Sequence, residues 1–390
     1  MIKKIEKGRS MRSIYLDHAA TTPLDTEIFQ KMTPYFTENY GNADSPHALG
    51  RKAMGAVDTA RDTLAALLNA KPSEIFFTSG GTEGDNWAIL GCARAQKELG
   101  KDHVIISAIE HHAALAAAET LDREGFAVTY LPVNNKGEVE TETLERAMTE
   151  KTGLVAVMSV NNETGVIQPI KELAKIAKTG GAVFFTDGVQ AAPYMEIDVK
   201  DLGVDMLSLS SHKFYGPKGC GALYIRSGVK VKGLIVGGEQ ERGLRGGTTN
   251  VPAVVGLAAA YKKARAEMAE NNAKIERLRN VFIEELSSLD GLKINAESEN
   301  KLAAVLNIRV DGVLNSDLVY NLDLQGVCIA AGSACASASI KPSHVLTAMG
   351  MTEQEVKESV RVSFGKNNTE EEVRTAAKLW IETVNRLRGV

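Results

Sequence analysis

Between about residues 60 and 230, short apolar runs alternate with longer amphipathic stretches. EIFFTS, HVIIS, VTYLPV, LVAVMSV, AVFFTD, MLSLSS and CGALYI are strand-sized and rich in Val, Ile and Phe. Helix-period segments such as NWAILGCARAQKELG and IKELAKIAKTGG lie between several of them, the second closing on a Gly pair suited to a helix end. This alternation predicts an α/β fold, a mostly parallel seven-stranded sheet with helices on both faces. CGALYI follows MLSLSSHKFYGPKG too closely for a crossover helix, so it is expected to run antiparallel through the Gly216-Pro217 turn.

From about Val251 the pattern changes to one long helical stretch, with apolar positions at Val254, Leu257, Tyr261, Met268, Ile275, Leu278, Phe282 and Leu286. The strand-like runs AAVLNIRV, GVCIAA and SVRVSF follow, then a closing helix with a capping-box spacing from Thr369 to Glu372. Its apolar stripe is Val373, Ala377, Trp380, Val384 and Leu387. The predicted division is a large domain over residues 16–261 and a smaller α+β C-terminal domain over 262–390, with residues 1–15 folded onto it.

Composition narrows the class. The 390 residues carry 45 Lys plus Arg against 49 Asp plus Glu, a balance without the basic excess of a nucleic-acid-binding protein. No run approaches the ~18 apolar residues of a membrane helix, and the N-terminal MIKKIEKGRSMRS lacks the apolar core of a signal peptide. It reads as a short leader, with Met11 an alternative start. Four cysteines in so long a chain do not make a disulfide framework, so a reduced cytoplasmic enzyme is expected.

Ligands of open parallel sheets bind beyond the carboxyl ends of the strands. EIFFTS ends at Gly80-Gly81-Thr82, a turn whose N–H groups open a helix and suit an anion, though such turns are often only turns. HVIIS leads to Glu110-His111-His112, where one His facing a cleft is a better reading than a metal pair. LVAVMSV leads to Asn161-Asn162, read otherwise as an Asn-rich turn. AVFFT leads to Asp187, an ordinary helix cap in the bland reading, with Gln190 three residues on. MLSLSS leads to His212-Lys213, where an isolated Lys is most often a surface residue. Taken together they match a single need. A pyridoxal phosphate site requires an amine for the covalent link, an acid at the pyridine nitrogen and an anion cradle. It also requires donors to the phenolic oxygen and a planar group against the ring.

The blocks TSGGTEGDN, EHHAAL, NNETGVIQ, TDGVQA, SSHKFYGPKG, ERGLRGGTTN and GSACASASIKPSHVL carry a closer likeness. The chain resembles pyridoxal-phosphate-dependent cysteine desulfurases of the NifS/IscS type, in the class V aminotransferase superfamily. The likeness runs from YLDHAATTP near residue 15 to VRVSFGKNNTEEE near residue 370 and implies the fold type I architecture. It implies that Lys213 links to the cofactor, that His111 stacks on the ring and assists proton transfer, and that Asp187 meets the pyridine nitrogen. Asn162 and Gln190 would reach the phenolic oxygen, and Gly81, Thr82, Ser210 and His212 would hold the phosphate. Thr248 would reach the phosphate of the neighbouring subunit, making a homodimer with shared sites. Arg361, expected after a strand, would pair with the substrate carboxylate beside Asn162.

Cys92, Cys220 and Cys328 lie in apolar runs and read as small buried hydrophobes. Cys335 has no bulky apolar neighbour within four positions, which predicts a mobile loop with an exposed thiol. The resemblance makes it the catalytic cysteine: L-cysteine would become L-alanine, its sulfur passing to Cys335 as a persulfide. An acceptor protein such as an iron–sulfur scaffold would then take the sulfur. The alternatives are a class V aminotransferase, which has no use for Cys335, a selenocysteine lyase, and a non-catalytic sulfur-relay scaffold. Ala43, Gly84, Ser211 and Glu239 depart from the commoner family pattern, and the chain ends soon after its closing helix. Members dedicated to scaffold docking often extend further, which leaves the acceptor open between cluster assembly, thiolated tRNA and other cofactors.

Overall fold

The structure, a computed structural model, describes residues 13–332 and 342–389. Its strands are β1 (Ile14–Tyr15), β2 (Ile75–Thr78), β3 (His103–Ser107), β4 (Ala127–Leu131), β5 (Thr152–Ala156) and β6 (Val183–Asp187). They continue with β7 (Met206–Ser210), β8 (Gly221–Ile225), β9 (Leu292–Ile294), β10 (Val305–Val310), β11 (Val327–Cys328) and β12 (Ser359–Ser363).

The seven runs read from the sequence form one sheet in the order β2-β8-β7-β6-β5-β3-β4. It is parallel except for β8, which runs antiparallel to β7 and β2 as the short connection predicted. Alternate residues point to opposite faces. Ile105, Val155, Phe184, Leu207 and Tyr224 enter a core beneath the Ala48–Leu68 and Ile170–Thr179 helices. Val104, Ile106, Leu154, Phe185 and Leu223 enter the opposite core, with Trp87 and the Ala114–Leu121 helix face. Both faces are therefore dry, which is why these strands read as continuous apolar runs. The helix after the glycine turn is not uniform: Gly81–Asn86 and Cys92–Lys97 flank a π-turn over Trp87–Gly91, where Trp87 Nε1 donates to Lys232 O at 3.1 Å.

The long helix is unbroken from Val251 to Leu286 and has Pro252 in its first turn. Its first half (Val251–Tyr261) packs into the sheet core; Ile275, Leu278, Phe282 and Leu286 pack into another, with Leu16, β10, β12 and the closing helix. There the Phe282 ring meets Phe364 and Trp380 edge-on, each at 5.7 Å. β12, β10 and β9 form an antiparallel sheet, while β1 pairs in parallel with β11. The Thr369–Glu372 capping box closes as predicted, and Val373, Ala377, Trp380 and Val384 are buried. Leu387 departs from the stripe, 36% exposed in the last turn. No helix among the described residues is long and apolar enough to cross a membrane.

Candidate active site

The polar residues that follow the strands lie at the carboxyl ends of β2, β3, β5, β6 and β7. Gly80, at φ 152°, turns the chain out of β2 in a backbone state that L side chains rarely adopt. A Cβ on Gly81 would stand 2.9 Å from Val189 Cγ2, so the glycine passes tightly against the Val189 side chain in the turn after β6. Ser210, at the end of β7, is buried with its Oγ 3.6 Å from where a Gly80 Cβ would stand. The first N–H groups of the following helix have no carbonyl partner within it, and Thr82 there is exposed. This is a cradle open to an anion. His212 lies beside it, its Nδ1 3.0 Å from Thr21 Oγ1. Burial and the neighbouring Lys213 charge hold the His212 ring down to about 4, so it is neutral at physiological pH.

Asp187 closes β6 and is 6% exposed. Its Oδ1 accepts from the Val189 N–H at 2.8 Å, so the ordinary capping role and a role in the site coexist. Burial raises its carboxyl to about 6, against the opposing pull of the Val189 bond and the Lys213 charge. Beneath it lies Asp85, 1% exposed, whose Oδ1 accepts from Ser208 Oγ at 2.6 Å. Ser208 is the β7 residue in register with Asp187. Burial first, and the Asp187 charge second, push the Asp85 carboxyl well above its ordinary range. Gly84, one of the departures noted above, fits this contact because its Cβ would sit 3.0 Å from Ser208 Cβ.

His111 caps the His112–Arg123 helix, Nδ1 accepting from the Ala113 N–H at 3.2 Å, which leaves the ring proton on Nε2. Burial and Lys213 lower it to about 4. The two asparagines separate cleanly. Asn161 is consumed by its own turn, accepting from Glu163 N and Thr164 N and donating to Ile109 O. Asn162 lends its carbonyl to Arg361 Nη1 at 3.0 Å.

Lys213 sits in the single turn after β7, half-buried, its Nζ donating to Ala19 O at 2.6 Å and Ala20 O at 2.9 Å. Gln190 Nε2 donates to the same Ala19 carbonyl at 2.9 Å. The expectation for Arg361 needs correction. It lies in the middle of β12, not after a strand, in register with Asn307 and bonded through its backbone to Ala330. Strand geometry explains this: Val360 and Val362 point into the small core, sending Arg361 to the other face and the cleft. Its Nη2 donates to Asp17 Oδ1 at 2.7 Å.

Thr248 is exposed and borders a cavity of about 170 Å³ with Ser79, Cys220 and Arg245. Arg245 Nε pairs with Glu83 Oε1 at 2.9 Å, tying that loop to the glycine turn. Cys335 lies outside the described residues. Among the described cysteines, burial pushes the Cys220 thiol up to about 12 and also raises those of Cys92 and Cys328, so none is poised as a thiolate.

Sequence reasoning assigned no role to four groups here: Asp17, the Ala19–Ala20 carbonyls, Asp85 and Glu110. YLDHAATTP was visible as a block, but its contacts reach residues some 190 to 350 positions away. Glu110 is fully buried, Oε1 accepting from Ser107 Oγ at 2.6 Å and Met158 N at 2.7 Å, while Oε2 has no partner among the described residues.

The class V aminotransferase family description matches residues 14–375 of the chain. The chain belongs to that family. Among curated members it is 45% identical over 379 residues to "Cysteine desulfurase IscS" of Methanosarcina thermophila, covering 97% of this chain and 94% of that one. It is 46% identical to "Putative cysteine desulfurase IscS 1" of Bacillus subtilis, covering 97% and 100%. Among solved structures, a "NIFS-LIKE PROTEIN" superposes with a TM-score of 0.90 at 37% identity, covering 96% of this chain and all of that one. The class V family uses pyridoxal 5′-phosphate, and the donor set fits it. An amine and a buried carboxylate lie at the ends of the neighbouring strands β7 and β6, and the cradle, tight at Gly81, follows β2, with β8 between it and β7.

Proposed function

We propose that this class V enzyme is a cysteine desulfurase, converting L-cysteine to L-alanine while its sulfur passes to Cys335. The observation that carries the reading is the grouping of Lys213, Asp187 and the Gly80–Thr82 cradle opposite Arg361. The cysteine desulfurase names of relatives 45–46% identical over nearly the whole chain support it. Lys213 would hold the cofactor covalently, Asp187 its pyridine nitrogen, and Asn162 and Gln190 its phenolic oxygen. Gly81, Thr82, Ser210 and His212, with Thr248 of the partner subunit, would hold the phosphate, and His111 would lie against the ring. When bound, the cofactor supplies an electron sink for the substrate α-carbon.

The chain's own groups do the rest. Arg361 holds the substrate carboxylate and so orients the α-carbon. Once released from its covalent link, the Lys213 amine takes the α-proton, and the Ala19 and Ala20 carbonyls lie within reach to hold it. His111 is neutral, with Nδ1 accepting from Ala113 N–H and the proton on Nε2, which makes Nε2 a hydrogen-bond donor. The Cys335 sulfur attacks the substrate sulfur; the carbon–sulfur bond breaks, a sulfur–sulfur bond forms, and the α- and β-carbons finish as alanine. Cysteine plus thiol becomes alanine plus persulfide, so atoms and electrons balance with no external oxidant. We read residues 16–261 and 262–390 as separate units, supported by the two hydrophobic cores that the long helix joins. A homodimer, cytoplasmic location and a protein acceptor for iron–sulfur or other sulfur-cofactor synthesis complete the reading. Cys335→Ser is expected to abolish sulfide release from L-cysteine while leaving the cofactor's visible absorption band intact; sulfide release at the native rate would end the assignment.

A further inference from the structure

Arg361 is 1% exposed, and a guanidinium so deeply buried needs a charge partner. Asp17 is that partner, through a single bond from Nη2 to Oδ1 at 2.7 Å. The Asp17 side chain is 18% exposed, so it is less deeply buried than the guanidinium it meets. A second contact, from Nη1 to Asn162 O at 3.0 Å, also holds the guanidinium. Nε is buried and has no acceptor among the described residues. Of five N–H donors, two are thus committed and a forked edge is left for an anion.

Asp17 is held independently of Arg361. Leu16 N donates to Cys328 O at 2.9 Å and Ser363 N to Leu16 O at 2.8 Å, while Ala20 N donates to Asp17 O at 3.1 Å. Ala19 N donates to Ser363 Oγ at 2.9 Å. The backbone on either side of Asp17 is therefore fixed, which sets its carboxylate beside the cation that would serve the substrate.

We infer that Asp17 sets the substrate class at this site, aligning the Arg361 guanidinium for one carboxylate and rejecting amino acids that carry a second. This rests on Arg361 being the carboxylate-binding residue. A monocarboxylic amino acid uses the forked edge and adds no further negative charge. A dicarboxylic one brings another anion into a confined cleft where Asp17 already offsets the arginine, and like charges there repel with little screening.

The test is calorimetric binding of L-alanine and L-aspartate to cofactor-loaded protein. Native protein is expected to bind L-alanine at least about tenfold more tightly than L-aspartate, a gap of about 1.4 kcal/mol. Asp17→Asn keeps the shape and removes the charge; it is expected to narrow the gap to under about threefold, chiefly by tightening L-aspartate. Asp17→Glu, which keeps the charge, retains discrimination. An equal loss for both ligands in Asp17→Asn means a merely structural residue and overturns the inference, as does native protein that binds the two alike. Arg361→Lys separates the premise: if it leaves L-alanine affinity unchanged, the reading of Arg361 fails whatever Asp17 does.

Discussion

Glu110 offers a stability experiment that needs neither cofactor nor substrate. Its side chain is fully buried, and burial raises the carboxyl from an ordinary 4.5 to about 8, with the Asp187 charge adding to the rise. The bonds from Ser107 and Met158 oppose but do not overcome this. In the unfolded chain the group ionises near its ordinary value. Between those two values the native state therefore binds more protons than the unfolded state, and stability falls as pH rises. The slope is about 1.4 kcal/mol per pH unit, giving a loss of roughly 4 kcal/mol between pH 5 and 8.5. Glu110→Gln keeps an oxygen to accept from Ser107 and Met158, mimics the protonated acid and cannot ionise. Urea denaturation, followed by the fluorescence of the buried Trp87 and Trp380, measures both proteins across that range. The native-minus-variant difference is expected to shift by roughly 4 kcal/mol against native protein as pH rises. His111 and His212, both held down to about 4, lose stability with falling pH instead, and they cancel in the difference. A difference constant to within about 1 kcal/mol would refute the assignment of a protonated, desolvated Glu110.

Two further outcomes are expected. Gly81→Ala would place a methyl 2.9 Å from Val189 Cγ2, forcing the cradle to shift; an overpacking cost of about 1–3 kcal/mol translates into roughly five- to hundredfold weaker cofactor binding, read by absorbance titration of the apoprotein. Unchanged affinity there would remove the cradle from the site. Asp187→Asn replaces the buried acid by a neutral isostere and is expected to lower sulfide release by at least about a hundredfold at saturating cofactor, while the Val189 turn survives through the amide oxygen. A rate within about threefold of native would show that the acid has no electronic part in the reaction.

The sequence by itself determined the sheet and where its chemistry falls. The inner strands were legible because both of their faces are apolar, and what stands at each strand end is a local matter: Asp187 closes β6, and Gly80–Thr82 and Lys213 come just after β2 and β7, by chain connectivity alone. The antiparallel β8 was equally forced, since too few residues separate it from β7 for a crossover. Tertiary structure decided what those residues touch. Asp17 and Arg361 meet across 344 positions of sequence, and the Ala19 carbonyl gathers Lys213 and Gln190 from two different strand ends. No local pattern encodes such pairings, because they depend on how segments far apart in the chain pack against one another. The same holds for Asp85 and Glu110. A single carboxyl inside an apolar helix or after a strand looks like any surface acid until packing removes its water, and only then does its proton affinity become a property of the fold.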